Sequence, residues 1–258
     1  MAEANAWQGT VTLPVGYPDE QGNLLREVHL RKMTGKEEAI LADAQLRQNG
    51  GKLISALLAS CITGIEGMDK VGPQVARRLY SADRNYLLLE LRRLTFGDQM
   101  EAHYRCPRCQ SSTAVDEDLS TLEVRRIDDN AAATLEIRVT LKDGYKDNEG
   151  HWHHEFVFGL PTGEDEEVAA GRRDSNAARQ RDALMARCLR QVGTLDPRKV
   201  QAMGVRILAD LSMVDRRAIQ KALDAAAPGP DMTRTVECKG CGDEFRTSLD
   251  MSQFFPLG

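Results

Sequence analysis

The residues with the clearest chemistry are the six cysteines. Four form two CxxC pairs, Cys106-Pro-Arg-Cys109 and Cys238-Lys-Gly-Cys241, and two stand alone, Cys61 and Cys188. A thiolate is both nucleophile and metal ligand, and a CxxC turn aims two of them at one point. Zinc takes four such ligands in a tetrahedron, so each pair is half of a structural site. The opening MAEANAWQGT has no basic n-region and no apolar h-region, which reads as a soluble protein made in the cytoplasm. There, cysteines at this spacing point to metal before disulfide. We therefore expect one structural zinc held by Cys106, Cys109, Cys238 and Cys241, with no open position for a hydrolytic water. Two other arrangements draw on the same residues. One is disulfide or redox chemistry within each CxxC turn, although no thioredoxin-like βαβ pattern surrounds either. The other is a separate site in each half, completed by His103 or by a histidine of the His151–His154 cluster.

Other chemistry is thin. His153-His154-Glu155 matches the HxE of zinc deaminases, but the only later CxxC begins at Cys238 and follows Glu237 rather than proline,. Alternation would put His151 and His153 on one face of a strand and Trp152 and His154 on the other, as at an exposed hairpin edge. Neither phosphate-loop nor nucleophile-elbow strings occur, and the carboxylates are scattered. The absence of a catalytic constellation argues for a binding or structural protein rather than an enzyme.

An internal repeat supplies the elements that must position the cysteines. The segment from Val11 aligns with that from Val139 at an offset of 128, with identities at 11 of 28 positions, including Gly16/Gly144, Asp19/Asp147 and Thr34/Thr162. Ordinary composition would give roughly two. At an offset of 127 the lone cysteines coincide, and at 132 so do Asp83/Asp215, Arg84/Arg216 and both CxxC pairs. The chain therefore reads as an α+β fold made by tandem duplication, with lobes over 8–127 and 134–257 related by a pseudo-two-fold axis that brings the two knuckles to one zinc.

Each lobe has one plan. Val11–Leu13 with Glu27–Met33, and Leu135–Leu141 with Glu155–Phe158, read as hairpins around Asp and Gly turns. The Thr-Gly pairs precede acidic residues suited to a helix N-terminus. A helix is expected over Leu53–Ile65, with Cys61 on its apolar stripe, and Cys188 has the same place in the second lobe. Free cysteine packs there as a small hydrophobe. Later helices run from Ser81 or Asp83 to Leu94 and from Ser212 to Ala226. Short strands flank each CxxC: Met100–Arg105 and Thr113–Asp116, then Thr233–Glu237 and Glu244–Ser248.

Composition bounds the partners. There are 34 basic and 39 acidic side chains, a net charge of −5, so nothing global favours nucleic acid or an anionic membrane. Hydrophobic residues are 41% and aromatics only 5%, which predicts aliphatic cores. The longest apolar stretch, Leu53–Ile65, is well short of the roughly 20 residues that span a bilayer. Arg77, Arg78, Arg84, Arg92 and Arg93 read as a solvated helix face paired with Glu90 and other acids, or as a contact surface for an acidic partner. No aromatics interleave with them as on a single-strand nucleic-acid platform.

The run GYPDEQGNLLREVHLRKMTGKEEAILAD from Gly16, then RNYLLLELRRLTFGD from Arg84, the CPRC knuckle and VDEDLS from Val115 resemble the baseplate proteins of tailed bacteriophages. That family includes relatives of the T-even phage baseplate hub assembly protein and occurs in phage-like contractile injection systems. The resemblance is strongest from Val11 to Val124 and fainter in the second lobe. It implies a non-enzymatic role in tail baseplate assembly in the host bacterial cytoplasm, with other tail and baseplate proteins as partners. The protein would be either a subunit retained in the particle or a factor that leaves. The alternative is a zinc-ribbon module of nucleic-acid machinery, against which the mild acidity and scarce aromatics count.

Overall fold

A computed structural model describes residues 8–68, 71–127, 135–171 and 176–255. The segment between the expected lobes, 128–133, and residues 134, 256 and 257 at the ends of the second lie outside the described residues.

The chain opens with β1 (Gln8–Pro18) and β2 (Leu24–Arg31), an antiparallel hairpin. Its turn is closed by Asp19, whose carboxylate accepts the Gln21 and Asn23 amides at 2.8 and 2.7 Å. Helix α1 (Gly35–Ala42) starts at a capping box made by Thr34 and Glu37, two orphan amides satisfied reciprocally. Helix α2 (Gly50–Cys61) is capped by Asn49 and runs directly into β3 (Ile62–Ile65), which adds antiparallel to β2. The expected helix thus ends four residues early. Ile62, Thr63 and Ile65 have stiff β-branched side chains, and they complete a three-stranded sheet in the order β1-β2-β3. Short α3 (Pro73–Arg78) and long α4 (Ser81–Phe96) follow, the latter stopped by Gly97 at φ +88°. Then come β4 (Gln99–Arg105) and β5 (Ser112–Asp118), the first cysteine hairpin, and β6 (Val124–Arg125).

The second half follows a similar order, except that a short strand precedes its cysteine hairpin where β6 follows the first one. Strands β7 (Glu136–Lys146) and β8 (Trp152–Gly159) form a hairpin, with β9 (Leu189–Val192) as the third strand of the sheet β7-β8-β9. Between them lie α5 (Gly163–Ala170), with a Thr162–Asp165 capping box, and α6 (Ala177–Cys188). Helices α7 (Pro197–Asp210) and α8 (Met213–Ala226) precede β10 (Gly229–Pro230), and β11 (Thr233–Glu237) and β12 (Glu244–Ser248) form the second cysteine hairpin. Details recur as well. The register slip between Thr12 and Tyr17 has its counterpart between Thr140 and Tyr145. Buried Asp83 accepts the Val15 and Gly16 amides at 2.8 and 3.0 Å, and buried Asp215 accepts those of Lys142, Asp143 and Gly144.

Apolar packing divides into three clusters. One lies in the first half around Leu30, Leu57, Leu58 and Leu87, and one in the second around Phe156, Phe158, Ile207 and Ile219. The third joins the halves. Tyr86 and Leu89 of α4 pack with Met100 and Tyr104 of the first cysteine hairpin and with Val236 and Phe245 of the second. The second hairpin thus packs on α4, in the first half. Among the described residues no helix is long and apolar enough to cross a membrane.

The arginine group is a solvated face only in part: Arg78 is exposed and Arg93 pairs with Glu90 as expected, but two members are not on the surface. Arg84 is fully buried and Arg92 nearly so. Arg92 donates to the Gly97 and Gln99 carbonyls at 2.9 and 3.0 Å, and Arg93 pairs with Glu90 and Asp98. Arg84 reaches across the halves to Glu166 at 3.0 Å, and Arg77 to Glu167 at 3.0 Å. A helical-wheel reading could not foresee this, because the acids that bury these cations come from another part of the chain.

Candidate metal centre

Each CxxC sits on the tight turn of a two-stranded hairpin. The Cys106 amide donates to the Ser111 carbonyl at 3.0 Å, and the Gln110 amide returns to Cys106 O at 2.9 Å. In the second hairpin the Cys238 amide donates to Asp243 O at 2.9 Å and the Gly242 amide to Cys238 O at 2.8 Å. Both turns need a left-handed residue, Gln110 at φ +63° and Gly242 at φ +70°, which glycine adopts without strain. This backbone curl points both sulfurs of a pair to the same side.

The two turns face each other. Cys106 Sγ lies 3.8 Å from Cys241 Sγ and Cys109 Sγ 3.5 Å from Cys238 Sγ. All four sulfurs lie within 4.8 Å of one another. Bonds of about 2.3 Å to a tetrahedral zinc would set sulfurs about 3.8 Å apart, a spacing close to that of the two cross-hairpin pairs. Cys106 and Cys238 are buried and Cys109 and Cys241 exposed, and all six cysteines are free thiols.

Contacts outside the sulfurs hold the cluster. The Ser111 hydroxyl lies 2.9 Å from Cys109 Sγ and 3.1 Å from Cys238 Sγ, and the Gly240 amide donates to Cys238 Sγ at 3.3 Å. A Cβ on Gly240 would collide with Ser111. Lys239 donates its amide to Thr113 Oγ1 and its Nζ to Ala114 O, and Arg108 pairs with Asp243 at 3.3 Å, all between the two hairpins. Below them Tyr104 and Arg234 converge on Glu117 at 2.6 and 2.8 Å. Hydrogen bonding from Ser111, with the Cys241 and Gly240 amides, holds the Cys238 thiol down to about 5. Ser111 likewise lowers Cys109. At Cys241 the Asp243 amide lowers the thiol, but contact with the Cys109, Cys238 and Cys106 sulfurs outweighs it and pushes it up to about 12. Four clustered thiols cannot all ionise together without a cation to share the charge.

The expected residues therefore come together, Cys106, Cys109, Cys238 and Cys241 in one cluster. The histidines do not join them among the described residues. His103 lies beside Glu101 at 3.2 Å, on exposed surface. His151 sits near Asp147 and Glu149 in the β7–β8 turn. The exposed-edge reading of that turn holds for His151 and Trp152 but not for His153, which is buried with Nε2 3.1 Å from Asp147. It closes the loop as Asn23 does on Asp19 in the first half. Cys61 and Cys188 are buried core residues, and burial, with the neighbouring Glu37 or Asp165, pushes both thiols up to about 12. Ser111 and Gly240 have no sequence signal beyond their proximity to the cysteines.

A search of curated proteins and one of solved structures gave no match. A family model described as T4 bacteriophage base plate protein matches residues 10–256. That span runs from the first strand past the second cysteine hairpin and so takes in both halves of the cluster. The chain belongs to the T4 bacteriophage base plate protein family.

Proposed function

We propose that this is a non-enzymatic structural or assembly protein of a phage tail baseplate, or of a phage-like contractile injection system. In this reading one zinc, held by Cys106, Cys109, Cys238 and Cys241, clamps two lobes that arose by tandem duplication, 8–127 and 134–257. Membership of the baseplate family carries the role, and the mutual proximity of the four sulfurs carries the metal. The recurring turns, caps and strand registers support the duplication. The alternative, a zinc ribbon of nucleic-acid machinery, is not favoured by the family. The partners are other tail and baseplate proteins, met in the host bacterial cytoplasm during assembly.

The clamp has a physical purpose. Cys109 and Cys238 are 129 residues apart. Joining positions so distant removes about 4–5 kcal/mol of chain entropy from the unfolded state in the loop-closure treatment. A metal-poor variant would keep two small aliphatic cores but lose their covalent-like tie. All four ligand positions are sulfur, so the zinc supplies structure rather than an open site for water.

Metal analysis of the purified chain tests this: one zinc per polypeptide is expected. Cys106→Ser and Cys238→Ser should each lose the metal to the same degree. Retention of half the zinc by either variant would sink the shared site. Mass spectrometry of purified particles then separates a retained subunit from a factor that leaves.

A further inference from the structure

The halves differ most around α8. In the first half α4 packs on its own cysteine hairpin, and in the second the corresponding hairpin has gone to α4 as well. The face of α8 towards β12 is left bordering an open groove of about 770 Å³. Arg125, Arg217, Lys221 and Arg246 line it, against Asp224 and Asp231. Arg217, Lys221 and Arg246 are exposed, and among the described residues no carboxylate pairs with them. At the same repeat offset the first half has Asn85, Leu89 and Ala114, with Leu89 buried in the joint core. A net charge of −5 makes this concentration of cations a local exception.

The groove continues into an apolar pocket. Gln220, Asp224 and Ala227 border both, and beyond them a cavity of about 290 Å³ is lined by Ile137, Leu184, Met185 and Leu223. In the first half the counterpart positions Leu57, Leu58 and Leu91 are buried, although a cavity of about 310 Å³ remains at Met33 and Thr95. Phe255 packs against the core that holds Leu57, Leu58 and Leu91, and lines a cavity with Met33 and Thr95. These are the repeat counterparts of Leu184, Met185, Leu223, Pro161 and Ala227. The counterpart of Phe255 is Glu123, which cannot fill an apolar pocket.

We infer that the pocket and groove beside α8 receive an acidic segment of a partner protein, with one aromatic or large aliphatic anchor. The anchor enters the pocket, and flanking carboxylates meet Arg217, Lys221 and Arg246. Charge complementarity selects an acidic chain. No aromatic side chain lines the groove for base stacking, which favours protein over single-stranded nucleic acid. The inference rests on the duplication, which supplies the counterpart positions.

Selection of displayed random dodecapeptides on the zinc-loaded full chain tests it, with an Arg217→Glu, Lys221→Glu, Arg246→Glu variant as the counter-selection. Peptides rich in Asp and Glu around a single Phe or Leu should be enriched. A synthetic peptide from that pool should bind about tenfold more weakly to the variant, and weaken with salt. Serine in place of its anchor should also weaken it. Enrichment of basic peptides, no enrichment against the variant, or tighter binding of oligouridylate to the same groove would overturn the proposal. Zinc content and unfolding midpoint, measured on the same preparations, keep the outcomes apart. A charge-reversed chain that keeps its metal and loses the peptide reports on the groove alone, whereas loss of metal reports on the clamp.

Discussion

Arg84 is a charge with no exposure to water, and its replacement tests how the halves are joined. Its guanidinium is fully buried. It donates to Glu166 Oε2 at 3.0 Å, Ser55 Oγ at 3.0 Å, Ala76 O at 2.7 Å and Gly51 O at 3.0 Å. The repeat counterpart, Arg216, donates to Leu208 O and finds its counter-ion within its own half, in Asp182 at 2.5 Å. At that position the first half has Ser55, so Arg84 takes its counter-ion from the other half. Arg84→Met removes the donor from two buried carbonyls and from Glu166. Breaking a buried pair costs about 3–5 kcal/mol. Glu166 is 22% exposed, so water recovers part of the loss and about 3 kcal/mol is expected. Glu166→Gln should cost about 1.5–2 kcal/mol, because a neutral acceptor replaces a charged one. Arg84→Met with Glu166→Leu should cost less than the sum of the single changes by about 1 kcal/mol or more. Urea unfolding followed by circular dichroism gives these values. Hydrogen exchange supplies the second reading: amides of α5 should open in Arg84→Met and stay protected in Arg216→Met. A Glu166→Gln chain within about 0.5 kcal/mol of the parent, or additive changes in the cycle, would refute the cross-half counter-ion.

The remaining predictions use other contrasts. Gly163 and Gly35 begin equivalent helices, but a Cβ on Gly163 would strike the Arg84 guanidinium while that on Gly35 meets nothing. In thermal melts Gly163→Ala should destabilise by about 1–3 kcal/mol, and Gly35→Ala should stabilise by about 0.5 kcal/mol through the unfolded chain. Glu37 is fully buried beside Arg31 at 2.7 Å. Burial raises its carboxyl, but hydrogen bonds from Arg31, Ser60 and Thr34 outweigh it and hold the group at about 2 against an ordinary 4.5. The folded value is the lower one, so its stabilisation is present above about pH 4.5 and disappears as pH falls through about 2. The urea-stability difference between the parent and Glu37→Gln should shrink by about 3 kcal/mol over that interval. A pH-independent difference would contradict the pairing.

Much of the plan was legible in the residues. Both cysteine hairpins and the caps of α1 and α5 follow from local rules of spacing and capping, which act within a few residues. The third strands were not legible. Ile62–Ile65 continues the apolar run of α2, and only pairing with β2 makes it a strand. The same holds for His153, which alternation places on a surface edge and which the Asp147 loop draws inside.

The four cysteines and the self-similarity of the halves are properties of the sequence, since spacing and matched residues need no coordinates. Their meeting is a tertiary matter. Two CxxC turns 129 residues apart face one another because Val236 and Phe245 of the second hairpin pack with Tyr86 and Leu89 of α4. The pairing of Arg84 was decided the same way: Ser55 offers it a hydroxyl but no charge within its own half, and Glu166 meets it from the other. Local sequence specifies turns, caps and ligand types because those depend on near neighbours. Which half a hairpin joins, and which acid answers a buried charge, depends on burial shared by segments far apart in the chain.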